Sequence, residues 1–268
     1  MVRDAQQFVR GRHLYSYVNP DGSKDSSLEQ WFSQLEGTAA PILRKIVANA
    51  RQAKRPSLTA AEKEIWDAFL YQQWRRVPDL YASLLAPEAH KAEVEHLLDE
   101  LSTLGRPVSN WERSQLLEPV SLKRMRQNVR VSSLTTGSEM VLSALGRRGL
   151  AVAKLANPRK SFILGSRPVV KCTLPGITDL SDPRVELWLP ISYDVMAGIG
   201  RLDEREILVP LNDQQVRLQN EAAAAQSTQI VGRSRELVQS LSRFVGTKAI
   251  FSPMEATSGA PDFSGEAV

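Results

Sequence analysis

Phe162-Ile-Leu-Gly-Ser-Arg-Pro-Val-Val170 joins two short apolar runs through a tight turn, and the second half of the chain is organised around it. Gly165 and Pro168 bracket Ser166 and Arg167, a pattern typical of a turn that presents its two middle residues. Because turns held by a rigid sheet often carry function, these two residues are candidates for a site. The alternative is an ordinary hairpin-like corner in which Arg167 is solvated.

Short apolar, β-branched runs bounded by Gly, Pro, Asn or Asp continue around this turn and predict a small sheet. The predicted strands are residues 150–155, 162–164, 169–172, 186–190 and 207–209. A helix with Asn212 or Asp213 as its cap follows them, from residue 214 to about residue 225. We expect a further strand at residues 229–231 and a last helix at residues 234–244.

The chain before residue 149 has helical periodicity. Apolar residues recur at three- and four-residue steps from residue 28 to residue 46, although Gly37 and Pro41 predict two segments or one kinked helix. Thr59 and Glu62 have the spacing of a capping box, which opens a second helix that runs to residue 78 or through it. Pro87 begins a third helix, and shorter helices are predicted at residues 111–117, 122–128 and 138–145.

These patterns predict an α+β fold, in which a helical first half packs on a small mixed or antiparallel sheet with C-terminal helices. We expect a single domain over residues 1–252, with a helical part at 1–148 and a sheet-containing part at 149–252. Residues 253–268 are rich in Ser, Gly, Pro and Ala, which predicts a flexible tail. In the third helix, Val94, Leu97, Leu98 and Leu101 should face inward, whereas His90 and His96 should be solvated.

The composition argues against several classes of protein. The single cysteine, Cys172, and three scattered histidines cannot form a thiolate or imidazole metal cluster, so we predict no metal and no cofactor. Cys172 itself should be a small core residue. No apolar run approaches the length of a membrane span, and the start lacks the pattern of a secretory signal, so a cytoplasmic protein without membrane contact is expected. Phosphate-loop, zinc-protease and nucleophile-elbow motifs are absent from the sequence.

A polar cluster is predicted from the apolar stripe of the second helix. Gln72 and Arg76 fall in line with Ile65 and Phe69, and a polar group on such a face needs a partner. Two acids on the first helix are the nearest candidates in sequence. One interpretation is a buried ion pair that fixes the packing of two helices, and the other is a pocket shared with the central turn. The candidate cluster is Glu29, Glu36, Gln72, Arg76, Ser166, Arg167 and Asn220.

Two acids on one helix could also share a divalent metal, although a neighbouring Arg76 favours the ion pair. Replacing a buried Arg76 with Ala would then cost about 3–5 kcal/mol.

The middle of the chain is strongly basic. Residues 121–171 hold eleven basic residues against one acid, Glu139, whereas the flanking segments are acidic. Such a local charge attracts phosphates, so we predict weak, salt-dependent binding of nucleic acid or another polyanion. The alternative is a charge that is solvated or neutralised within the protein. The candidate polyanion-binding residues are Lys123, Arg124, Arg126, Arg130, Arg147, Arg148, Arg159 and Lys160.

Several stretches occur in the order found in a known family. They are Leu28-Glu-Gln-Trp-Phe-Ser-Gln-Leu-Glu36, residues 58–62 through Gln72-Gln-Trp-Arg-Arg-Val-Pro78, the central residues 162–170, and Val216-Arg-Leu-Gln-Asn220 with the Ala run and Ile230-Val-Gly-Arg233 behind it. Over about residues 14–245 the chain therefore resembles the large bacterial family catalogued as domain-of-unknown-function family 4238. Since that family has no established reaction, the resemblance implies a fold and a set of positions to watch.

The chain departs from the family at two places. Members usually begin with His-x-x-Pro-x-x-Tyr-Leu and carry Thr-Ser-Asp-x-Pro-Val at the central turn, where this chain has Gly-Ser-Arg-Pro-Val. The resemblance therefore favours a non-catalytic binding or regulatory member that recognises a polyanion or a protein partner through its basic segment. The alternative is a metal-assisted hydrolase or nuclease acting on phosphodiesters, with its site between the Ser166 turn and the polar cluster. Whether the protein is an enzyme, and its oligomeric state, are left open.

Overall fold

The computed structural model describes residues 15–77, 86–135, 137–173, 177, 180, 182–200 and 205–247. Contacts divide them into two compact units. One, here called the sheet unit, contains residues 34–77 and the described part of 138–247. The other, the helical unit, contains residues 15–33, 86–135 and 137. The single domain over residues 1–252 stays a prediction, and the proposed tail at 253–268 lies outside the described residues.

The helices and strands of the described residues are as follows. The helices are α1 Ser27–Arg51, α2 Ala60–Arg75, α3 Pro87–Thr103, α4 Asn110–Leu116, α5 Pro119–Thr135, α6 Glu139–Gly146, α7 Asp213–Ala225 and α8 Arg235–Leu241, with a 3₁₀ turn at Ser242–Phe244. The strands are β1 Tyr17–Val18, β2 Lys24–Asp25, β3 Leu150–Leu155, β4 Leu164–Gly165, β5 Val170–Cys172, β6 Glu186–Pro190, β7 Val195–Ile199, β8 Ile207–Leu211 and β9 Ile230–Val231. Among the described residues, no helix combines the length and apolar character that crossing a bilayer requires.

The sheet unit is built on a mixed five-stranded sheet with the order β5-β6-β7-β3-β8. β3 pairs in parallel with β8, and the other neighbours are antiparallel. This architecture confirms the predicted α+β fold with C-terminal helices. β7 was not predicted, although it lies between β6 and β3 and is buried along its whole length. Its Gly198 packs closely on β6, since a Cβ atom there would lie 2.0 Å from the Leu187 carbonyl oxygen.

Helices cover both faces of this sheet. Side chains alternate between the faces along a strand, so Leu150 and Val152 point to one core while Ala151 and Ala153 point to the other. The first core contains buried residues of α2, α6 and the part of α1 from Ala39 onward, and the second contains buried residues of α7 and α8. Cys172 is buried in the second core, as predicted.

The central stretch is a corner between two sheets. β4 pairs with β9 in a separate two-stranded sheet, whereas β5 belongs to the five-stranded sheet. The two runs around Ser166 therefore do not pair with each other, so the corner is not a hairpin, and Arg167 is half-buried rather than solvated. Gly165 allows the corner to lie against the residues after α7, because a Cβ atom there would be 2.0 Å from Ser227 Oγ.

Two helix caps lie where the sequence predicts them, Thr59 at α2 and Asn212 at α7. Thr59 and Glu62 form the predicted capping box, and α2 ends at Arg75 rather than at residue 78. α1 is one helix that includes Pro41, so the predicted alternative of two segments is wrong. Pro41 lacks the N–H that would otherwise donate to the carbonyl of Gly37.

The helical unit has a small core of its own, formed by Leu28, Phe32, Val131 and Leu134. Leu98 of α3 is buried as expected, but Leu97 and Leu101 are exposed. His90 is buried rather than solvated, and desolvation lowers its pKa, with a smaller contribution from the charge of Arg126.

Candidate functional site

Ser166 and Asn220, two members of the predicted polar cluster, form hydrogen bonds that shape the backbone. Ser166 Oγ lies 3.2 Å from Thr228 Oγ1 and accepts a hydrogen bond from the Thr228 N–H at 3.1 Å. Asn220, 3% exposed on α7, accepts from the Ile163 N–H and donates to the Ser161 carbonyl. These contacts hold the chain before and after β4 against α7 and the segment that follows it.

The predicted ion pair between Arg76 and Glu36 is present, with Arg76 Nη1 2.5 Å from Glu36 Oε1. The expected burial is wrong, because the side chains of Arg76 and Glu36 are 20% and 46% exposed. Gln72 is buried, and its Oε1 accepts no hydrogen bond from the described residues. Glu29 lies in the helical unit, where it accepts hydrogen bonds from the Tyr15 N–H and the Ser16 hydroxyl.

Replacing Arg76 with Ala is therefore expected to lower the free energy of unfolding by about 1 kcal/mol or less, because a partly solvated pair contributes little. A double-mutant cycle with Glu36→Gln, followed by urea denaturation, would measure the coupling between the two side chains. A coupling of about 3 kcal/mol would instead indicate the buried ion pair that the sequence predicted.

In the part of the chain that the structure describes, no set of side chains is arranged to bind a metal ion. No group of three or more His, Cys, Asp or Glu side chains there is placed to hold an ion. Glu29 and Glu36, the two acids considered for a metal, each have the separate partners given above.

The eight basic candidates are divided between the two units, four in each. In the helical unit, Arg124 donates to the Pro20 carbonyl, Arg130 lies 5.4 Å above the Tyr15 ring, and Lys123 is exposed. Arg126, also on α5, is half-buried and close enough to His90 to lower its pKa.

Arg148 must be removed from the candidate surface. It is 2% exposed and donates to five backbone carbonyls, so its guanidinium group is a structural element of the sheet unit. Its neighbour Arg147 is exposed.

Arg159 and Lys160 line a cavity of about 740 Å³ in the sheet unit, here called the basic pocket. Asn220 and Ser161 lie in its wall, so the hydrogen bonds of Asn220 hold one side of it. The charged side chains of the lining are Arg159, Lys160, Arg217, Arg233, Asp213 and Glu236, four basic against two acidic.

The cations of this pocket differ in how firmly they are held. Arg217 is paired with Glu221 and donates to Ser240, which positions its guanidinium group. Lys160 Nζ lies 3.6 Å from Asp213. Arg159 and Arg233 are exposed and have no acidic partner among the described residues.

Arg217 and Arg233 lie outside the basic segment at residues 121–171, so the charge of that segment does not predict their role. Both lie in stretches that resemble the family, Val216–Asn220 and Ile230–Arg233, and this was the signal that could have identified them. The fold brings them beside Arg159 and Lys160 through α7 and the turn after β9.

A family model described as "Protein of unknown function (DUF4238)" matches residues 5–236, and the chain therefore belongs to this family. The resemblance found in the sequence is thus confirmed. No curated protein and no solved structure matches the chain.

Proposed function

We propose that this protein is a non-catalytic member of its family that binds a polyanion, and that the basic pocket is the binding site. The observation that carries the proposal is the convergence of four cationic side chains from three segments on one cavity. Pockets of this size commonly hold small ligands or parts of larger ones. A cavity with an excess of cations attracts phosphate or sulfate groups.

The availability of the cations supports this proposal. Arg159 and Arg233 are exposed, so an incoming anion meets them without first breaking an ion pair. Lys160 and Asp213 are 48% and 52% exposed at a separation of 3.6 Å. Such a pair is weak in water, and an anion can compete for the Lys160 ammonium group.

The structural roles of Ser166 and Asn220 also favour binding over catalysis. Ser166 and Asn220, which the sequence offered for chemistry, make hydrogen bonds that hold backbone segments. A protein partner and a cytoplasmic location stay predictions.

The test uses inorganic polyphosphate and heparin as probes, titrated at low and at moderate salt. Wild-type protein should bind both, with an affinity that falls as salt rises. The double variant Arg159→Glu, Arg233→Glu should bind each probe at least about tenfold more weakly than wild-type protein. A plot of the logarithm of the association constant against the logarithm of the salt concentration should become less steep, by about 2 in slope.

Lys123→Glu with Arg124→Glu is the matched control, because it reverses two charges on the helical unit and leaves the basic pocket intact. The proposal fails if wild-type protein binds neither probe at low salt. It also fails if the control loses affinity while the pocket variant does not.

A further inference from the structure

We infer that the polyanion recognised at the basic pocket is a single-stranded nucleic acid, with one of its bases stacked at Tyr193. This inference rests on the proposed function and names its ligand class. Tyr193 is 46% exposed, and Arg233 of the pocket lies over its ring, with Cζ 4.6 Å from the ring centre. An exposed aromatic ring therefore adjoins the cationic lining.

The turn between β6 and β7 holds Tyr193 in place. The Ile191 and Ser192 N–H groups both donate to the Val195 carbonyl, which closes the turn. The Tyr193 carbonyl accepts a 2.8 Å hydrogen bond from the Phe162 N–H, next to Ser161 in the pocket wall. Because these bonds fix the backbone beside the pocket, little conformational entropy of the backbone is lost when a base stacks on the ring.

A second arginine extends the same surface. Arg51 Cζ lies 5.6 Å from the Tyr193 ring centre, and its guanidinium group makes two 2.8 Å hydrogen bonds to Asp194. Lys154 Nζ donates to the Arg51 carbonyl, which adds another cation nearby. The phenol ring lies among guanidinium groups, and both kinds of flat surface stack with bases.

The chemistry of this surface distinguishes among polyanions. Cations alone are enough to hold polyphosphate or a sulfated sugar, and an exposed ring adds nothing to that interaction. A single strand presents unstacked bases beside its phosphates, so it can use the ring and the pocket together. In a duplex the bases are stacked on one another and do not reach Tyr193.

The experiment compares Tyr193→Ala and Tyr193→Phe with wild-type protein, using fluorescence anisotropy with a labelled oligouridine and, separately, heparin. Tyr193→Ala should weaken oligouridine binding about tenfold, in line with the loss of one stacked base, and leave heparin binding unchanged. Tyr193→Phe keeps the ring and should bind oligouridine as wild-type protein does. Tyr17→Ala, which removes an exposed tyrosine of the helical unit, is the control.

The measurements distinguish a failure of this inference from a failure of the proposed function. If Tyr193→Ala binds oligouridine as tightly as wild-type protein, or loses oligouridine and heparin equally, the inference is overturned and the proposed function stands. If neither probe binds wild-type protein, the proposed function fails and the inference with it. Urea denaturation of the two Tyr193 variants and of Tyr17→Ala checks that they are folded.

Discussion

Replacing Arg148 with Met is expected to lower the free energy of unfolding by about 4 kcal/mol, the largest effect we predict for a single substitution. The guanidinium group donates to the carbonyls of Val185 at 2.6 Å and Gly200 at 2.9 Å. It also donates to those of Leu180, Asp182 and Pro183, at 3.3, 3.2 and 3.4 Å. Met fills most of the volume but leaves these carbonyls without their donor.

The cost is large because the site is closed to solvent. Arg148 is 2% exposed, and an unsatisfied buried acceptor loses the water that it would bind in the unfolded chain. Burial lowers the pKa of Arg148, while the nearby charges of Glu186 and Asp182 oppose that shift. Arg148→Lys should also be strongly destabilising, since an ammonium group cannot reproduce the planar fork of donors.

Arg147→Met is the matched control, because it removes the same charge one residue earlier at an exposed position. It should change the free energy of unfolding by about 0.5 kcal/mol or less. Urea denaturation at neutral pH measures both variants. Similar small losses at the two positions would contradict the structural role assigned to Arg148.

The free energy of unfolding should fall as pH rises from about 4 to about 6, because the buried Asp67 keeps in the folded state a proton that the unfolded chain loses over this range. Burial on α2 raises its pKa from 3.8 to about 6, and the charge and hydrogen bonds of Lys63 only partly oppose this. Glu64 adds a small repulsion in the same direction as burial. The folded state therefore holds a proton in a pH range where the unfolded chain has lost it.

The sign of the effect follows from this difference in bound protons. Below the unfolded pKa the protonated carboxyl contributes its full stability, and that contribution is lost as pH rises through the folded pKa. A shift of about two units corresponds to about 3 kcal/mol. About one unit above the folded pKa the loss is complete, and Asp67 is then ionised in both states.

Asp67→Asn isolates this contribution, because Asn resembles the protonated side chain at every pH. The stability of the variant relative to wild-type protein should rise by about 2–3 kcal/mol between pH 4 and pH 7, as measured by urea denaturation. Subtracting the two curves cancels the other titrating groups. A difference that stays constant with pH would show that the pKa of Asp67 is not raised.

Many helices and strands could be predicted from the sequence because the patterns that specify them involve residues close together in the chain. The capping box of α2 involves only residues 59 and 62, and β3 and β6 were predicted with their observed bounds. β7 was missed because Val195-Met-Ala-Gly-Ile199 is buried on both faces and has no alternation of polar and apolar residues. Gly198 weakened the strand signal further.

The site could be predicted only in part. Asn220, Arg159 and Lys160 were identified as candidates and lie together in the basic pocket. Arg217, Arg233 and Tyr193 were not, because their relevance depends on neighbours that are distant in the sequence.

The sequence by itself determined the helices and strands with strong local patterns, the α+β class and the family, because each depends on residue order over short stretches. Only the tertiary structure decided which charges are buried and which converge. Arg148 and Arg159 belong to the same basic segment, yet one is enclosed by carbonyls from residues 180–200 and the other faces a cavity with Arg217 and Arg233. The environment of a charged side chain depends on the segments that pack around it, and a sum of charge along the chain does not contain that information.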